Sequence, residues 1–247
     1  MNEAANPWLS VVVPAYNEQK LLAQSLDSTR RALLANGLEP GQWEFIVCDN
    51  ASTDATARIA ARAGARVVPE SHRQIARARN TGAAAARGRW LLFVDADTRP
   101  DAALLAATLA AMADRRICGG GATVASGGAG PGVTLAIETW NLISRSLGLA
   151  AGGYVFCRRR AFLDVHGFNE EFYAGEELDF SRRLKQWGRL HGQQFVILAG
   201  VRFTTSLRKV ELYDSAELRS LLLRGLLRPR RMLRDKSMLG MWYDGRR

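Results

Sequence analysis

Two aspartates with one residue between them follow a hydrophobic run that predicts a strand from Trp90 to Val94. Two carboxylates so placed cannot both be buried in a core without partners. Beyond the end of a strand both can turn toward one cation, and Mg²⁺ or Mn²⁺ prefers oxygen ligands from carboxylates and substrate phosphates. The alternative is that one aspartate caps the next helix and the other lies in the turn before Pro100. The segment is Asp95-Ala96-Asp97.

Two further polar segments follow predicted strands. After the first strand, Pro14, Tyr16 and Asn17 form a loop whose aromatic ring could pack on a nucleobase. The alternative is an ordinary turn in which Asn17 caps the next helix. After the second strand, polar groups could bind the edge of a base or a ribose, whereas Asp54 and Thr56 are interpreted as bracing the helix that follows.

The elements that must position these residues alternate between strand and helix. Such alternation predicts a mostly parallel sheet with helices on both faces, in which ligands bind beyond the carboxyl ends of the strands. The segments at 49–50 and 95–97 therefore lie on one rim of the sheet. The predicted strands span 9–15, 43–48, 65–68 and 90–94, and the predicted helices span 18–36, a stretch after 54, 73–87 and 100–113.

The second half of the chain has a less regular pattern. Its composition predicts flexible backbone at Gly119 to Gly121 and in the loop from Ser126 to Gly132. Apolar spacing predicts helices over 133–149 and 176–187, with a strand over 154–157. No motif in this half indicates which acceptor is bound.

Composition restricts the class of protein. The chain has 247 residues, a net charge of +10 and three scattered cysteines. The odd, scattered cysteines argue against a disulfide framework and favour a reduced, cytoplasmic compartment. No stretch reaches the length needed to span a bilayer. The positive charge favours anionic partners such as nucleotides or phospholipid headgroups, although arginine-rich composition alone explains it equally well.

Several motifs in consistent order resemble those of inverting glycosyltransferases of family 2, which have the GT-A fold. The resemblance covers roughly residues 9 to 190 and implies an α/β, GT-A type domain with a nucleotide-binding half at 9–115 and an acceptor-binding half at 116–205. The matching motifs are Val12 to Glu18, Asp49 to Thr56, Ala78 to Gly82, Phe93 to Asp97, Gly167 to Glu170 and Gly175 to Asp179.

The resemblance also implies roles for residues at the rim. Asp97 and Asp95 would bind the divalent metal, Mg²⁺ or Mn²⁺, and Asp97 is the preferred ligand. Many relatives have an aspartate at the position of Asn50, so strict selection of uridine is not implied. The residues expected to contact the nucleotide-sugar donor are Pro14, Ala15, Tyr16, Glu18, Asp49, Asn50, Arg79, Asn80, Asp95 and Ala96.

An acidic pair, Glu176 and Glu177, occupies the position at which the family carries its general base. The second member is the expected base, which takes a proton from the acceptor hydroxyl during a single inverting displacement. The family usually has an aspartate there, so Glu177 reaches one methylene further, and Glu176 is the alternative. Without the resemblance, the pair would suit the exposed first turn of a helix, where acidic side chains favour the helix dipole.

The last residues, 206–247, form a basic, leucine-rich extension. From Arg208 onward it has eleven Lys or Arg against five Asp or Glu, and leucines recur at helical spacing between 218 and 227. A basic amphipathic helix can lie on an anionic membrane, or it can pack on the catalytic domain with its arginines in solvent. A lipid-linked acceptor would suit the membrane interpretation. Nucleic acid is not expected as a partner, because leucines rather than aromatic residues separate the arginines.

Three other functions were considered. A dinucleotide-dependent dehydrogenase needs a glycine-rich GxGxxG turn after the first strand, which this chain lacks. A sugar nucleotidyltransferase would need a glycine-rich, basic loop at the same place. A non-catalytic membrane-binding protein on the same fold would not need the paired aspartates or Glu177.

Overall fold

The first hundred residues alternate between strand and helix, as their pattern predicts. The computed structural model describes residues 6–206 and 234–235. The elements are β1 Leu9–Ala15, α1 Leu22–Ala35, β2 Trp43–Asp49, α2 Thr56–Arg62, β3 Arg66–Pro69, α3 Ile75–Ala85, β4 Trp90–Val94, β5 Thr98–Arg99, α4 Ala102–Ala113, β6 Ile117–Val124, α5 Pro131–Leu147, β7 Tyr154–Arg158, α6 Arg159–Asp164, α7 Glu176–Leu190 and β8 Gln194–Thr205.

The strands form an eight-stranded sheet in the order β3-β2-β1-β4-β7-β6-β8-β5. Strands β1, β2, β3 and β4 pair in parallel, and so do β6 and β8. Strand β7 is antiparallel to both of its neighbours, and the short β5 is antiparallel to β8. The prediction of a mostly parallel sheet is confirmed.

Each central strand contributes alternate side chains to two cores, because successive side chains point to opposite faces of a sheet. In β1, Val11 and Val13 pack in the core that includes Leu22 of α1 and Leu104 of α4. Val12 packs in the opposite core with Ala76 of α3 and residues of α6 and α7. The predicted arrangement of helices on both faces is therefore confirmed.

The prediction that Gly119, Gly120 and Gly121 form flexible backbone is wrong, because they lie buried in strand β6. A Cβ atom on Gly120 would lie 2.4 Å from the Val196 carbonyl oxygen and 2.6 Å from the Phe156 ring. Glycine is used here so that neighbouring groups can approach closely. Glycine content alone does not distinguish that use from flexibility.

Strand β8 and helix α6 are absent from the sequence-based prediction. Strand β8 spans Gln194–Thr205 and pairs in parallel with β6, with irregular register near Ala122. Gly200 has φ +76° and follows an exposed alanine, so hydrophobic alternation breaks in the middle of the strand. A strand that is interrupted in this way has no clear period-2 signal.

The predicted C-terminal extension, 206–247, lies outside the described residues except for Ser206, Arg234 and Asp235. Arg234 forms a salt bridge of 2.8 Å with Glu171 and lies over the Phe172 ring. Among the residues that the structure describes, no helix is long and apolar enough to cross a bilayer.

Candidate active site

The carboxyl ends of β1, β2 and β3 meet at one rim of the sheet. Ala15 is in register with Asp49, and the Asn50 amide donates a hydrogen bond of 2.8 Å to the Ala15 carbonyl. The Glu70 amide continues this pattern with a bond of 2.9 Å to the Asp49 carbonyl. Pro14 and Ala15 are buried within β1, so they contribute backbone and shape rather than exposed side chains. The carboxyl ends of these strands therefore lie side by side, as the strand order predicts.

The loops after β1 and β2 are joined by reciprocal hydrogen bonds. Asn17 has φ +52°, its amide donates to the Ser52 hydroxyl at 3.0 Å, and its side-chain oxygen accepts from the Thr53 amide at 2.8 Å. Asn17 is thus not a helix cap, and α1 begins at Leu22 rather than at 18. These bonds give the loop after β1 a fixed shape.

Asp54 and Thr56 brace these loops, as predicted. The Asp54 carboxylate accepts from the Thr56 amide at 2.9 Å and from the Gln19 amide at 3.2 Å. The Thr56 hydroxyl accepts from the amide of Glu18, which is buried. Glu18 therefore lies inside the junction of the two loops.

Tyr16 lies beneath an arginine that the sequence interpretation missed. The Arg73 guanidinium lies 3.8 Å from the Tyr16 ring centroid. Its Nε and Nη2 atoms are buried and have no hydrogen-bond partner among the described residues. The cation is therefore available to an anion or to a carbonyl oxygen at this rim. Arg73 was predicted only as the start of a helix, and no local pattern marked it as a site residue.

The side chain of Asn50 is buried and holds the backbone of the following loop. Its Nδ2 atom donates to the carbonyl of His72 at 2.7 Å and to that of Glu70 at 3.3 Å. Asp49 accepts a hydrogen bond from the Ser52 amide at 3.3 Å. Asn50 therefore shapes the rim through its amide group.

The segment from Asp95 to Thr98 is a tight turn at the end of β4. The Thr98 amide donates to the Asp95 carbonyl at 2.9 Å, and the Asp95 amide donates to the Gly153 carbonyl at 3.2 Å. Ala96 is buried in the core, while Asp95 and Asp97 are partly exposed. Asp97 also accepts from the Thr205 hydroxyl at 3.2 Å. The turn thus leaves both carboxylates partly exposed at the rim of the sheet.

Arg79 of α3 links the two halves of the chain. Only 1% of its surface is exposed. Its Nη2 atom lies 2.9 Å from an Asp95 oxygen and donates to the Gly152 carbonyl at 2.7 Å, and its Nη1 atom pairs with Glu176. The guanidinium also lies over the Phe168 ring. A buried cation with two carboxylate partners fixes the turn after β4 against the start of α7.

The two glutamates of the acidic pair differ in environment. Glu176 is buried and neutralised by Arg79, whereas Glu177 is partly exposed. Burial and the neighbouring Glu176 charge raise the pKa of Glu177 to about 8, against the opposing effect of Arg79. Burial also raises the pKa of Glu176, although Arg79 acts against it. Of the pair, Glu177 is the more accessible carboxyl group, and its pKa lies close to neutral pH.

Gly152 leaves room for this arrangement. A Cβ atom there would lie 3.3 Å from both the Arg79 Nη2 atom and the Glu177 carboxyl carbon. Any larger residue would press against both groups. The sequence analysis did not identify Gly152, because a single glycine in an irregular segment carries no signal of its own.

Asn80 holds the loop that precedes α7. Its amide group donates to the Phe168 carbonyl at 2.9 Å and accepts from the Phe168 amide at 2.9 Å. Gly167 has φ +65°, and a Cβ atom there would lie 2.6 Å from the Asn80 oxygen. The motifs at 78–82 and 167–170 are therefore two sides of one contact. Asn80 was expected beside the diphosphate or sugar, and in the structure its amide is used in this contact.

The residues at the turn fit a divalent cation only together with substrate groups. Among the described residues, no three His, Cys, Asp or Glu side chains cluster as a metal site. Asp95 is paired with Arg79, so Asp97 is the carboxylate better placed for a metal. Mg²⁺ is commonly held by one or two carboxylates plus phosphates of the substrate. An incomplete protein ligand set is what that type of site requires.

His191 does not join this set. It follows the last turn of α7, at the opposite end from Glu177, and a helix of fifteen residues is about 22 Å long. Its ring stacks on Trp187 with centroids 3.9 Å apart. His191 therefore lies at the end of α7 that is remote from Glu177.

The chain belongs to glycosyl transferase family 2, whose model matches residues 10–163. It is similar to the uncharacterized glycosyltransferase EpsJ of Bacillus subtilis, with 32% identity over 37% of this chain and 26% of EpsJ. It is also similar to the Escherichia coli UDP-Glc:alpha-D-GlcNAc-diphosphoundecaprenol beta-1,3-glucosyltransferase WfgD, with 31% identity over 36% of this chain and 34% of WfgD. The matches thus span between a quarter and about a third of these relatives.

Solved structures share the fold. A mannosyltransferase from Pyrobaculum calidifontis, in complex with GDP-Man and Mn²⁺, matches with a TM-score of 0.67 and 19% identity over 87% of this chain and 60% of that one. S. aureus TarS matches with a TM-score of 0.64 and 20% identity over 95% of this chain and 79% of that one. At these identities the likeness concerns the fold, which is of the GT-A type.

Proposed function

We propose that this protein transfers a sugar from a nucleoside-diphosphate sugar to a hydroxyl group, with inversion at the anomeric carbon. The observation that carries the proposal is the arrangement around Arg79, which holds Asp95 and Glu176 and leaves Glu177 and Asp97 accessible. Asp97, the proposed metal ligand, and Glu177, the proposed proton acceptor, are therefore not engaged by the Arg79 ion pairs. The family assignment supports the same reaction class.

The donor would bind along the rim formed by β1, β2 and β4. Tyr16 and Arg73 offer an aromatic face and a cation, and backbone at Pro14 and Ala15 frames the pocket. Asn50 and Asp49 set the shape of the floor through their hydrogen bonds. Related folds are described with GDP-Man and with UDP-GlcNAc bound.

Glu177 would act as the general base. Its carboxylate takes the proton of the acceptor hydroxyl as that oxygen attacks the anomeric carbon. The bond between this carbon and the diphosphate oxygen breaks, and the electron pair leaves with the diphosphate. One displacement of this kind inverts the configuration. Glu176 is unsuited to the role because Arg79 holds its carboxylate.

A divalent cation, Mg²⁺ or Mn²⁺, would be held by Asp97, with Asp95 as its neighbour. Such an ion supplies positive charge that stabilises the departing diphosphate. The chain's own contribution is to fix the Asp95 to Thr98 turn through Arg79 and Gly153. Three of the related structures contain Mn²⁺.

The acceptor is proposed to be a lipid-linked sugar of cell-envelope polysaccharide synthesis. The name of the relative WfgD specifies a diphosphoundecaprenol acceptor, and another relative, ExoO, is named for succinoglycan biosynthesis. Both are similar to this chain over little more than a third of its length.

Thermal unfolding with a panel of UDP-, GDP-, dTDP- and CMP-sugars, with and without Mn²⁺, tests the donor site. A ligand that binds the native state raises its stability. We expect one nucleotide to raise the melting temperature, and only when Mn²⁺ is present. Asp97→Asn should remove this rise, while Asp101→Asn is the control because Asp101 caps α4 and asparagine also caps helices. No shift with any sugar nucleotide, on folded protein, would contradict the proposal.

A further inference from the structure

Helix α5 exposes apolar side chains and buries polar ones. Leu135, Leu142, Ile143 and Leu147 are 70%, 59%, 40% and 55% exposed. The fully buried residues of this helix are Asn141 and Ser144. A helix that packs on a domain normally has the opposite pattern, with its apolar side inward. Trp140 of the same helix packs against the core, so these four exposed side chains form a separate apolar side of α5.

The helix is fixed to the sheet by polar contacts. The Asn141 side chain donates to the Val124 carbonyl and accepts from the Val124 amide, both at 2.9 Å. The Ser144 hydroxyl donates to the Leu149 carbonyl at 2.6 Å. These bonds define the rotation of α5 about its axis. The apolar side chains are therefore held outward by the hydrogen bonds of Asn141 to the end of β6.

A basic cluster borders the end of α5. Arg182, Lys185 and Arg189 lie three and four residues apart on α7 and, with Gln186, line a depression of about 370 Å³. The Lys185 ammonium donates to the Leu147 carbonyl, which joins the cluster to the apolar stripe. None of the three cations pairs with a carboxylate of the described residues. The positive charge is therefore available to an external anion.

We propose that this surface, the exposed leucines and isoleucine of α5 with the basic cluster of α7, binds an anionic lipid surface. Exposed apolar area flanked by cations is the pattern that inserts into the headgroup region of a bilayer. The apolar part contacts acyl chains, and the cations contact lipid phosphates. This assigns membrane contact to the folded domain, rather than to the basic extension at 206–247.

The surface lies close to the proposed base. The chain that leaves α5 crosses α7, where the Ala150 amide donates to the Ser181 hydroxyl at 3.1 Å. It then reaches Gly152, which contacts Arg79 and Glu177. Gly152 lies five positions after Leu147, a span of at most about 18 Å. Resting on the proposed function, this proximity would bring a lipid-linked acceptor to Glu177 along the membrane.

Flotation of the full chain with lipid vesicles tests the proposal without donor or acceptor. Vesicles of phosphatidylcholine alone are compared with vesicles containing one part phosphatidylglycerol to two parts phosphatidylcholine. We expect wild type to float with the anionic vesicles. Leu142→Gln/Leu147→Gln should weaken membrane binding about a hundredfold, because it removes two apolar side chains that the bilayer would bury. Arg182→Gln/Arg189→Gln should weaken it about thirtyfold, at roughly fivefold for each cation.

Matched controls change the same residue types elsewhere. Leu34→Gln removes an exposed leucine of α1, and Arg58→Gln/Arg62→Gln removes two exposed arginines of α2. These variants should float as wild type does. Circular dichroism and the donor-dependent melting shift show whether each variant is folded and binds donor.

Three outcomes overturn the proposal. Wild type that does not float shows that the surface does not bind lipid. Equal flotation of wild type and both surface variants shows that another segment, such as 207–233, binds the membrane. A concentration-dependent dimer that Leu142→Gln disrupts, without flotation, shows that a second copy covers α5. In each case the donor-dependent melting shift still reports on the proposed catalytic site, so the two failures are distinguishable.

Discussion

The proposed donor side, residues 9–115, and the proposed acceptor side, residues 116–205, are organised by different kinds of contact. On the donor side, the loops after β1 and β2 lock together through short-range polar pairs such as Asn17 with Thr53. On the acceptor side, β6 joins β7 and β8 through close backbone approaches at glycines, and α5 turns apolar residues outward. The structure of the donor side thus depends on hydrogen bonds between neighbouring loops. The structure of the acceptor side depends on close packing between strands that are distant in sequence.

Arg79 is the point at which the two regions meet. It lies on α3 of the donor side and binds Asp95, Glu176 and the Gly152 carbonyl. Two of these three partners belong to the acceptor side. The position of Glu177, the proposed base, therefore depends on a residue from the other half. Variants on each side can show how much each region contributes to donor binding and to turnover.

The largest effect is expected for Glu177→Gln on the acceptor side. Removal of a general base costs about a thousandfold in turnover, because the acceptor proton has no recipient. Donor-dependent stabilisation should persist, since the rim and Asp97 are unchanged. Steady-state kinetics and thermal unfolding with donor and Mn²⁺ measure the two properties. Full activity of Glu177→Gln would show that the base assignment is wrong.

A somewhat smaller effect is expected for Asp97→Asn on the donor side. The loss of one metal-binding carboxylate should reduce turnover about a hundredfold, because charge on the leaving diphosphate is less well stabilised. Unlike Glu177→Gln, this variant should also lose metal-dependent donor binding. Isothermal titration with the nucleotide, with and without Mn²⁺, distinguishes the two variants. Equal loss of donor binding in both variants would show that the two regions do not have separate roles in donor binding and proton transfer.

A structural effect is expected at Gly120, where the acceptor side depends on close packing. Gly120→Ala forces a Cβ atom against the Val196 carbonyl and should lower the free energy of unfolding by about 2 kcal/mol. Gly130→Ala is the control, because nothing lies within 4 Å of its added Cβ and its φ is not positive. Urea denaturation measures both variants. Equal stability of the two would show that β6 can move apart without cost.

The difference between the regions also explains what could be predicted from the sequence. Strands β1 and β4 have apolar runs that local patterns detect, and the rim follows from strand order alone. The acceptor-side β6 could not be recognised, because its glycines serve contacts with Phe156 and Val196 that are distant in sequence. Strand β8 was missed for a related reason, since Gly200 interrupts its pattern.

Within the site, residue types were easier to predict than partners. Asp95, Asp97 and Glu177 follow from motif positions, and the structure brings Asp95 and Glu177 together around Arg79. The side-chain amides of Asn50 and Asn80 instead bond to backbone of neighbouring loops. Arg73 and Gly152 lie outside any motif, because their importance depends on which loops fold against them.

The smallest effect is expected for Glu176→Gln, which tests how the two sides set the titration of the base. The Glu176 charge raises the pKa of Glu177, so its removal should lower that pKa. Catalysis needs ionised Glu177, and a pKa of about 8 means that activity rises with pH through that range. In the pH profile of kcat/KM, the acidic limb should therefore move to lower pH in Glu176→Gln. Glu170→Gln, which removes a carboxylate paired with Arg77, should leave the limb in place. A limb that stays fixed or moves to higher pH in Glu176→Gln would mean that Glu177 is not the titrating group.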